Sequence, residues 1–297
     1  MRSRLTTQVE WPTIGVLIGT YIVWGLSTTI VANFSVSIAI LVTTFTVAQF
    51  SSITHEVIHG HPTGNERVNA ALVFPALAMI YPFARFRDTH LAHHLDCELT
   101  DPYDDPESNF LDAGDWDRLP GWLRLVYSLN NTLAGRLLFG PLIGTVHFIC
   151  SDWQKAATDP SIRRAWQKHA LAISPVLVWV AFAPIPIWAY LVACYGGDAL
   201  IRVRTFLEHQ AHEKARGRTV IINDRGPLSF LFLNNNFHAV HHMHPKVSWY
   251  RLPQLYRRNA ARYLRTNDGY FYKSYGEIFR QYLFHRKDPV PHPLWRR

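Results

Sequence analysis

The chain has 297 residues and a formal charge of +8, with 48% hydrophobic but only 18% charged residues. That balance excludes an intrinsically disordered chain, which is poor in apolar residues and rich in charge. Cys97, Cys150 and Cys194 lie far apart and form no C-x-x-C pair, which excludes a disulfide scaffold.

The first predicted elements are two membrane helices. Trp11 to Thr54 is a run of 44 residues without Asp, Glu, Lys or Arg, and one crossing takes roughly 20 apolar residues. The run therefore holds two helices, over 14–32 and 36–52, with Asn33-Phe34-Ser35 as the turn. Ile14 onward is too long for a cleavable signal, and no small-residue cleavage site precedes the next apolar run. Val68–Ala84 carries Pro75 and Pro82, which suits a re-entrant or interfacial helix better than a clean crossing. Leu125–Ser151 is uncharged except for Arg136, and a third helix is expected over 133–150. Ala170–Gly197 is another charge-free run of 28 residues. A soluble helix of that length would show a charged face, so a fourth crossing is expected over 171–199.

The expected architecture is thus an all-α membrane bundle of about four crossings in one domain, 1–297. A cytoplasmic helical cap is drawn from 53–125 and 201–297. From Arg251 on there are 11 Lys/Arg against 3 acids. With Arg2 and Arg4, this puts both termini on the cytoplasmic side. Attraction to anionic lipid is the simplest use of those cations; no base-reading module is visible, so nucleic acid is not an expected partner. Four crossings place Lys155, Arg163, Arg164 and Lys168 outside, against the positive-inside rule. The alternative is that 125–150 stays peripheral and 170–199, interrupted at Pro184 and Pro186, dips in and returns.

Twelve of the 16 histidines fall in four windows: His55-Glu-Val-Ile-His59 with His61, His90-Leu-Ala-His93-His94, His209-Gln-Ala-His212, and His238-Ala-Val-His241-His242 with His244. Positions i, i+3 and i+4 share one helical face, so each box aims two or three imidazoles at a common point. Neutral imidazole is the commonest metal ligand. HEVIH, HLAHH and HAVHH alone supply eight, twice what one four-coordinate zinc takes, which favours a dinuclear, redox-active centre. Methylene C–H bonds are strong and carry no acidic proton, so side-chain acids and bases cannot activate them. Oxygen activation at a redox metal can. The neighbouring apolar helices imply an apolar substrate.

The order HEVIH, HLAHH, HAVHH, with hydrophobic pairs between and Pro-Lys-Val-Ser-Trp-Tyr-Arg-Leu-Pro after the last box, resembles the membrane fatty acid desaturase superfamily over roughly 14–253. This superfamily also holds carotenoid hydroxylases and ketolases. The resemblance implies a non-haem centre of two iron ions at the cytoplasmic membrane face. It would use O2 and two external electrons to attack a C–H bond of a lipid or acyl substrate. Fatty acid desaturation is the expected reaction, with lipid or carotenoid hydroxylation as the alternative. The ligands it implies are His55, His59, His90, His93, His94, His209, His238, His241 and His242. His209 matches a ninth ligand seen in acyl-CoA desaturases, with His212 as second choice; those enzymes have an Asn one turn earlier, where this chain has Thr205. Glu56, Asp88, Asp96 and Glu208 are candidates to orient imidazole N–H groups. Asn234-Asn235-Asn236 is expected to cap the last-box helix, Asn234 being the candidate nearest the metals. The acidic stretch 101–107 reads as a turn-rich loop. His61 and His244 fall out of register, which suits a surface position or a supporting role behind the ligands. No electron-carrying segment is evident, His61-Pro62-Thr63-Gly64 being only a faint echo of a haem-binding turn. A separate ferredoxin-like or haem-protein donor is therefore implied.

Two rival classes stay open at this level. HEVIH is also the H-E-x-x-H motif of zinc peptidases, with Glu56 as general base, but that reading leaves the other two boxes unused. A metal carrier would place its ligands near the bilayer midplane, whereas these boxes lie in charged, membrane-edge segments.

Overall fold

A computed structural model describes residues 9–95 and 98–295. Helices dominate, as the charge-free runs predict. In chain order they are α1 Trp11–Phe34, α2 Val36–Ile58, α3 Glu66–Leu72, α4 Phe83–Leu95, α5 Ala113–Arg118, α6 Gly121–Asn130, α7 Leu133–Ala156, α8 Pro160–Phe182 and α9 Ile187–Thr205. Then follow α10 Pro227–Leu231, α11 His238–Met243, α12 Leu252–Thr266 and α13 Tyr275–Tyr282. The strands β1 Ile221–Ile222 and β2 Phe271–Tyr272 pair in parallel, Ile221 opposite Phe271. The chain divides into two compact units, residues 1–87 with 147–200 and residues 88–146 with 201–297.

In the first unit, Pro12 opens α1, where a missing N–H costs no helical hydrogen bond. A π-helical turn at Ser27–Val31 interrupts the helix. Within that turn, Thr28 accepts the Trp179 indole N–H at 2.9 Å and, through its carbonyl, the Ile185 N–H at 3.2 Å. Ser35 alone separates α1 from α2. It is extended, and its Oγ accepts the Ile38 N–H at 3.3 Å, capping α2. The expected turn at 33–35 therefore sits at its last residue. Instead of ending at 52, α2 continues to Ile58, because the first residue in the left-handed conformation, Gly60 (φ 95°), lies beyond. That extra length puts His55 on its last turn. Gly197 lies so close to α2 that a Cβ there would stand 2.6 Å from Val47 Cγ1, and only glycine permits the approach.

Two expected elements need correction. The segment 68–84 holds no single helix: α3 ends at Leu72, and α4 begins only at Phe83, after Pro75 and Pro82, which cannot sustain a helical ladder. The run 171–199 is likewise two helices, α8 and α9, parted at Ala183-Pro184-Ile185-Pro186. Proline removes an N–H and disfavours helical geometry in the residue before it.

Among the described residues three helices, α1, α2 and α7, are long and apolar enough to cross a bilayer. Only 28%, 44% and 28% of their most apolar windows is buried, and Ile18, Ile22, Leu41, Phe45, Leu138 and Leu142 face outward. Apolar surface on that scale marks a membrane or interaction face. In the second unit the core gathers Phe237, Val240, Leu252, Tyr256, Tyr263 and Ile221, which pack α11 against α12 and β1.

Candidate metal centre

Three short pieces of the second unit deliver imidazoles. His90, His93 and His94 stand on the last two turns of α4, and His238, His241 and His242 on α11. His209 follows α9 in a bridge to Thr219, whose Oγ1 lies 3.5 Å from His209 Nδ1. The ligand atoms of His93, His209, His238 and His242 all lie within 4.8 Å of one another. Nε2 of His209 is 2.9 Å from that of His93 and 3.1 Å from that of His238, which is 3.1 Å from that of His242. Two nitrogens bound at right angles roughly 2.0–2.1 Å from one ion would stand about 2.9 Å apart, so the group fits a metal. A second trio lies in the same unit. Nε2 of His90 and His94 are 3.1 Å apart, and the His94 ring centroid is 4.9 Å from that of His241. In the first unit, His55 and His59 form a pair at the end of α2, ring centroids 4.8 Å apart.

The outward-facing nitrogens are tied down. His90 Nδ1 donates to Glu107 at 2.8 Å, and His93 Nδ1 donates to Asp105 at 2.8 Å. Asp105 also accepts backbone N–H groups from Thr100 and Glu107, at 2.8 and 2.9 Å. His238 Nδ1 lies 3.2 Å from Asn235 Oδ1, while Asn235 Nδ2 donates to Glu208 Oε1 at 3.1 Å. Glu208 is in turn paired with Arg204 at 2.9 Å. With Nδ1 held as a donor, the Nε2 lone pair points inward and could serve a metal.

Electrostatics in the metal-free chain agree with that role. Burial pushes His209, His238 and His242 well below the usual histidine range, with the neighbouring imidazoles adding to the effect. Burial and the charges of His90 and His93 take His94 down to about 3. Such imidazoles are neutral at pH 7, the form that binds metal. His93 goes the other way. Burial opposes its protonation, but Glu107 and the bond to Asp105 prevail and lift it to about 9. Glu107 responds in kind: burial works against its charge, yet His90 and His93 hold it well below the carboxylate range.

The carboxylates that matter were hidden in the sequence. Asp105 and Glu107 belong to the stretch expected to be only a turn-rich loop. Their signal was an acid pair 11 and 13 residues beyond the second box, too far for helical spacing to connect. Glu208 Oε1 lies 3.5 Å from His238 Nδ1, and Glu56 Oε1 is 3.8 Å from His55 Nδ1. Asp88 is exposed, and Asp96 lies outside the described residues. Thr205 Oγ1 is buried and makes no hydrogen bond. His212 turns away, its Nδ1 accepting the Lys214 N–H and its Nε2 lying 3.3 Å from Asp268. No Asn caps α11. Its N-cap is Phe237, and Asn234, at φ 55°, donates to the Trp249 carbonyl. Asn235 is the one that reaches a box histidine. His61 is not at the surface but buried against Glu10 at 2.8 Å, and His244 lies over Tyr263.

A C-terminal strap completes the second unit. Lys287 Nζ donates to the His209 carbonyl, Asn131 Nδ2 donates to the Asp288 carbonyl at 2.6 Å, and His292 Nε2 meets Thr100 Oγ1 at 3.2 Å. His209 and the carboxylate loop are thus fastened by the same segment.

Helices apolar enough to cross a bilayer, together with grouped imidazoles backed by carboxylates, define the class as a membrane protein with a metal-binding site. The fatty acid desaturase family matches residues 32–274, most of the chain and every box, and this protein belongs to it. Membership implies an oxidoreductase with a lipid substrate in a membrane setting. No curated protein matches the chain.

Proposed function

We propose that the chain holds two iron ions through His55, His59, His90, His93, His94, His209, His238, His241 and His242 and, with O2 and two external electrons, desaturates a lipid acyl chain. The observation that carries this reading is the convergence of Nε2 atoms in two groups of the second unit, with their Nδ1 partners facing outward. The bound irons would supply O2 activation strong enough to remove hydrogen from unactivated C–H bonds. The protein's own part is to bury the imidazoles and aim them. Asp105 and Glu107 fix the α4 ligands, and the Asn235–Glu208–Arg204 chain supports His238. A zinc peptidase would use only His55, His59 and Glu56, and would leave the buried group around His209 without purpose. We further propose an active site on the cytoplasmic face, supported by the cation excess after Arg251. In that arrangement α8 and α9 return the chain across the membrane in two pieces.

The test is mass spectrometry of total lipid from a host expressing the chain, with an electron donor, beside a His93→Ala control. Acyl species about 2 Da lighter, absent from the control, are expected; species about 16 Da heavier would mean hydroxylation instead. Unchanged acyl lipids would redirect the search to isoprenoids. One zinc and no iron in the purified protein would overturn the reading.

A further inference from the structure

The second unit carries a cationic face that the metal centre does not use. On α12, Arg257, Arg258, Arg262 and Arg265 are exposed, and the helix contains no acid. Lys214, Ala215 and Arg216 join Arg262, Arg265 and Thr266 around one surface cleft. Among the described residues, none of the five arginines at 216, 257, 258, 262 and 265 is ion-paired; Lys214 meets Asp268 at 3.4 Å.

The other side of α12 is committed to the core. Leu252, Tyr256 and Tyr263 are buried, Tyr256 stacks on Phe237 at 5.1 Å, and Tyr263 lies 6.1 Å from the His244 ring. The helix it covers is α11, which bears His238, His241 and His242. Packed helices are about 8–10 Å apart, so the arginine face lies one helix layer behind three proposed iron ligands.

Redox balance supplies the occupant. Desaturation reads R–CH2–CH2–R′ + O2 + 2e− + 2H+ → R–CH=CH–R′ + 2H2O. Hydroxylation reads R–H + O2 + 2e− + 2H+ → R–OH + H2O. Either way the substrate gives up two electrons, O2 takes four, and two must enter from outside. An exposed cationic surface one helix from the ligands suits electron entry from a negatively charged carrier. A lipid-inserting helix would instead present apolar side chains to the bilayer. Here the apolar side is occupied by protein, and between residues 244 and 283 no large hydrophobic side chain is exposed among the described residues.

We propose that the face formed by Lys214, Arg216, Arg257, Arg258, Arg262 and Arg265 docks an acidic one-electron carrier protein, which delivers electrons through α12 and α11. This rests on the oxygen-dependent reading above. The test uses the iron-loaded protein in phosphatidylcholine nanodiscs and an acidic 2Fe–2S ferredoxin as probe. Binding is measured directly, and reduction of the iron is followed optically without O2, driven either by reduced ferredoxin or by dithionite. Arg262→Glu with Arg265→Glu should weaken ferredoxin binding by about tenfold or more at low salt. It should leave the melting temperature and the dithionite-driven rate unchanged, and the wild-type affinity should fall as salt rises. Arg164→Glu with Lys168→Glu, exposed cations on α8, should bind ferredoxin as the wild type does. Unchanged ferredoxin affinity in the α12 variant overturns the docking proposal. So does a variant effect seen only with phosphatidylglycerol discs, which would assign the face to lipid headgroups. A wild type that binds ferredoxin but, once reduced and freed of dithionite, is not reoxidised by O2 would instead refute the proposed function and leave the docking surface standing.

Discussion

Asp105 gives the sharpest test of how the centre is built. One carboxylate serves three donors: Oδ1 accepts from His93 Nδ1 at 2.8 Å and the Glu107 N–H at 2.9 Å, and Oδ2 accepts from the Thr100 N–H at 2.8 Å. Its side chain is 1% exposed, so water does not share the work. Asp105→Ala leaves a buried imidazole N–H and two backbone N–H groups without acceptors. Hydrogen bonds to charged groups contribute about 1.5–3 kcal/mol each. The two backbone bonds should then cost about 3–6 kcal/mol of fold stability. The lost His93 bond is read separately, as a weakening of metal binding by about 10–100-fold, the usual effect of removing a ligand's hydrogen-bond partner. Asp105→Asn separates the two effects. Its amide oxygen can still serve His93 and Glu107, but its NH2 then faces the Thr100 N–H, so stability should fall more than metal affinity. The assays are thermal unfolding and metal retention under a graded chelator. An Asp105→Ala protein that melts and holds metal as the wild type does would refute the reasoning.

Two further outcomes follow from the same geometry. His209→Ala should lower iron retained per chain and His212→Ala should not, because only His209 joins the group of converging nitrogens; equal losses, measured by elemental analysis after chelator challenge, would count against that grouping. Acidification should destabilise the metal-free protein. His94, held at about 3, and His209, His238 and His242, held well below 6.5, stay neutral when folded, whereas their unfolded counterparts take up protons as pH falls below 6.5. His93, raised to about 9, has the opposite sign: its contribution is full below 6.5 and is lost as pH rises through 9. Four groups against one predict a melting temperature that falls steadily from pH 7 toward pH 4. A flat profile for the metal-free protein would mean that these imidazoles are not buried as described.

The sequence by itself determined whatever depends on spacing along one element. Helical periodicity puts the i, i+3 and i+4 imidazoles of HLAHH and HAVHH on single faces, and a 44-residue charge-free run permits two apolar helices and little else. Tertiary structure decided everything that joins distant segments. Periodicity cannot choose His209 over His212, because each lies in a loop placed by its partners: His209 by Thr219 and Lys287, His212 by Lys214 and Asp268. Asp105 and Glu107 gain their role only when the loop after α4 folds back on that helix, and Asn235 rather than Asn234 reaches His238 because Asn234 takes a left-handed conformation. The break of 171–199 into α8 and α9 stands between these cases. Pro184 and Pro186 mark it in the sequence, but only the fold shows the chain parting there, with the Ile185 N–H satisfied by the carbonyl of Thr28, far away along the chain. Local patterns set which atoms can act together within a turn of helix, and long-range packing alone sets which carboxylates, amides and cations reach them.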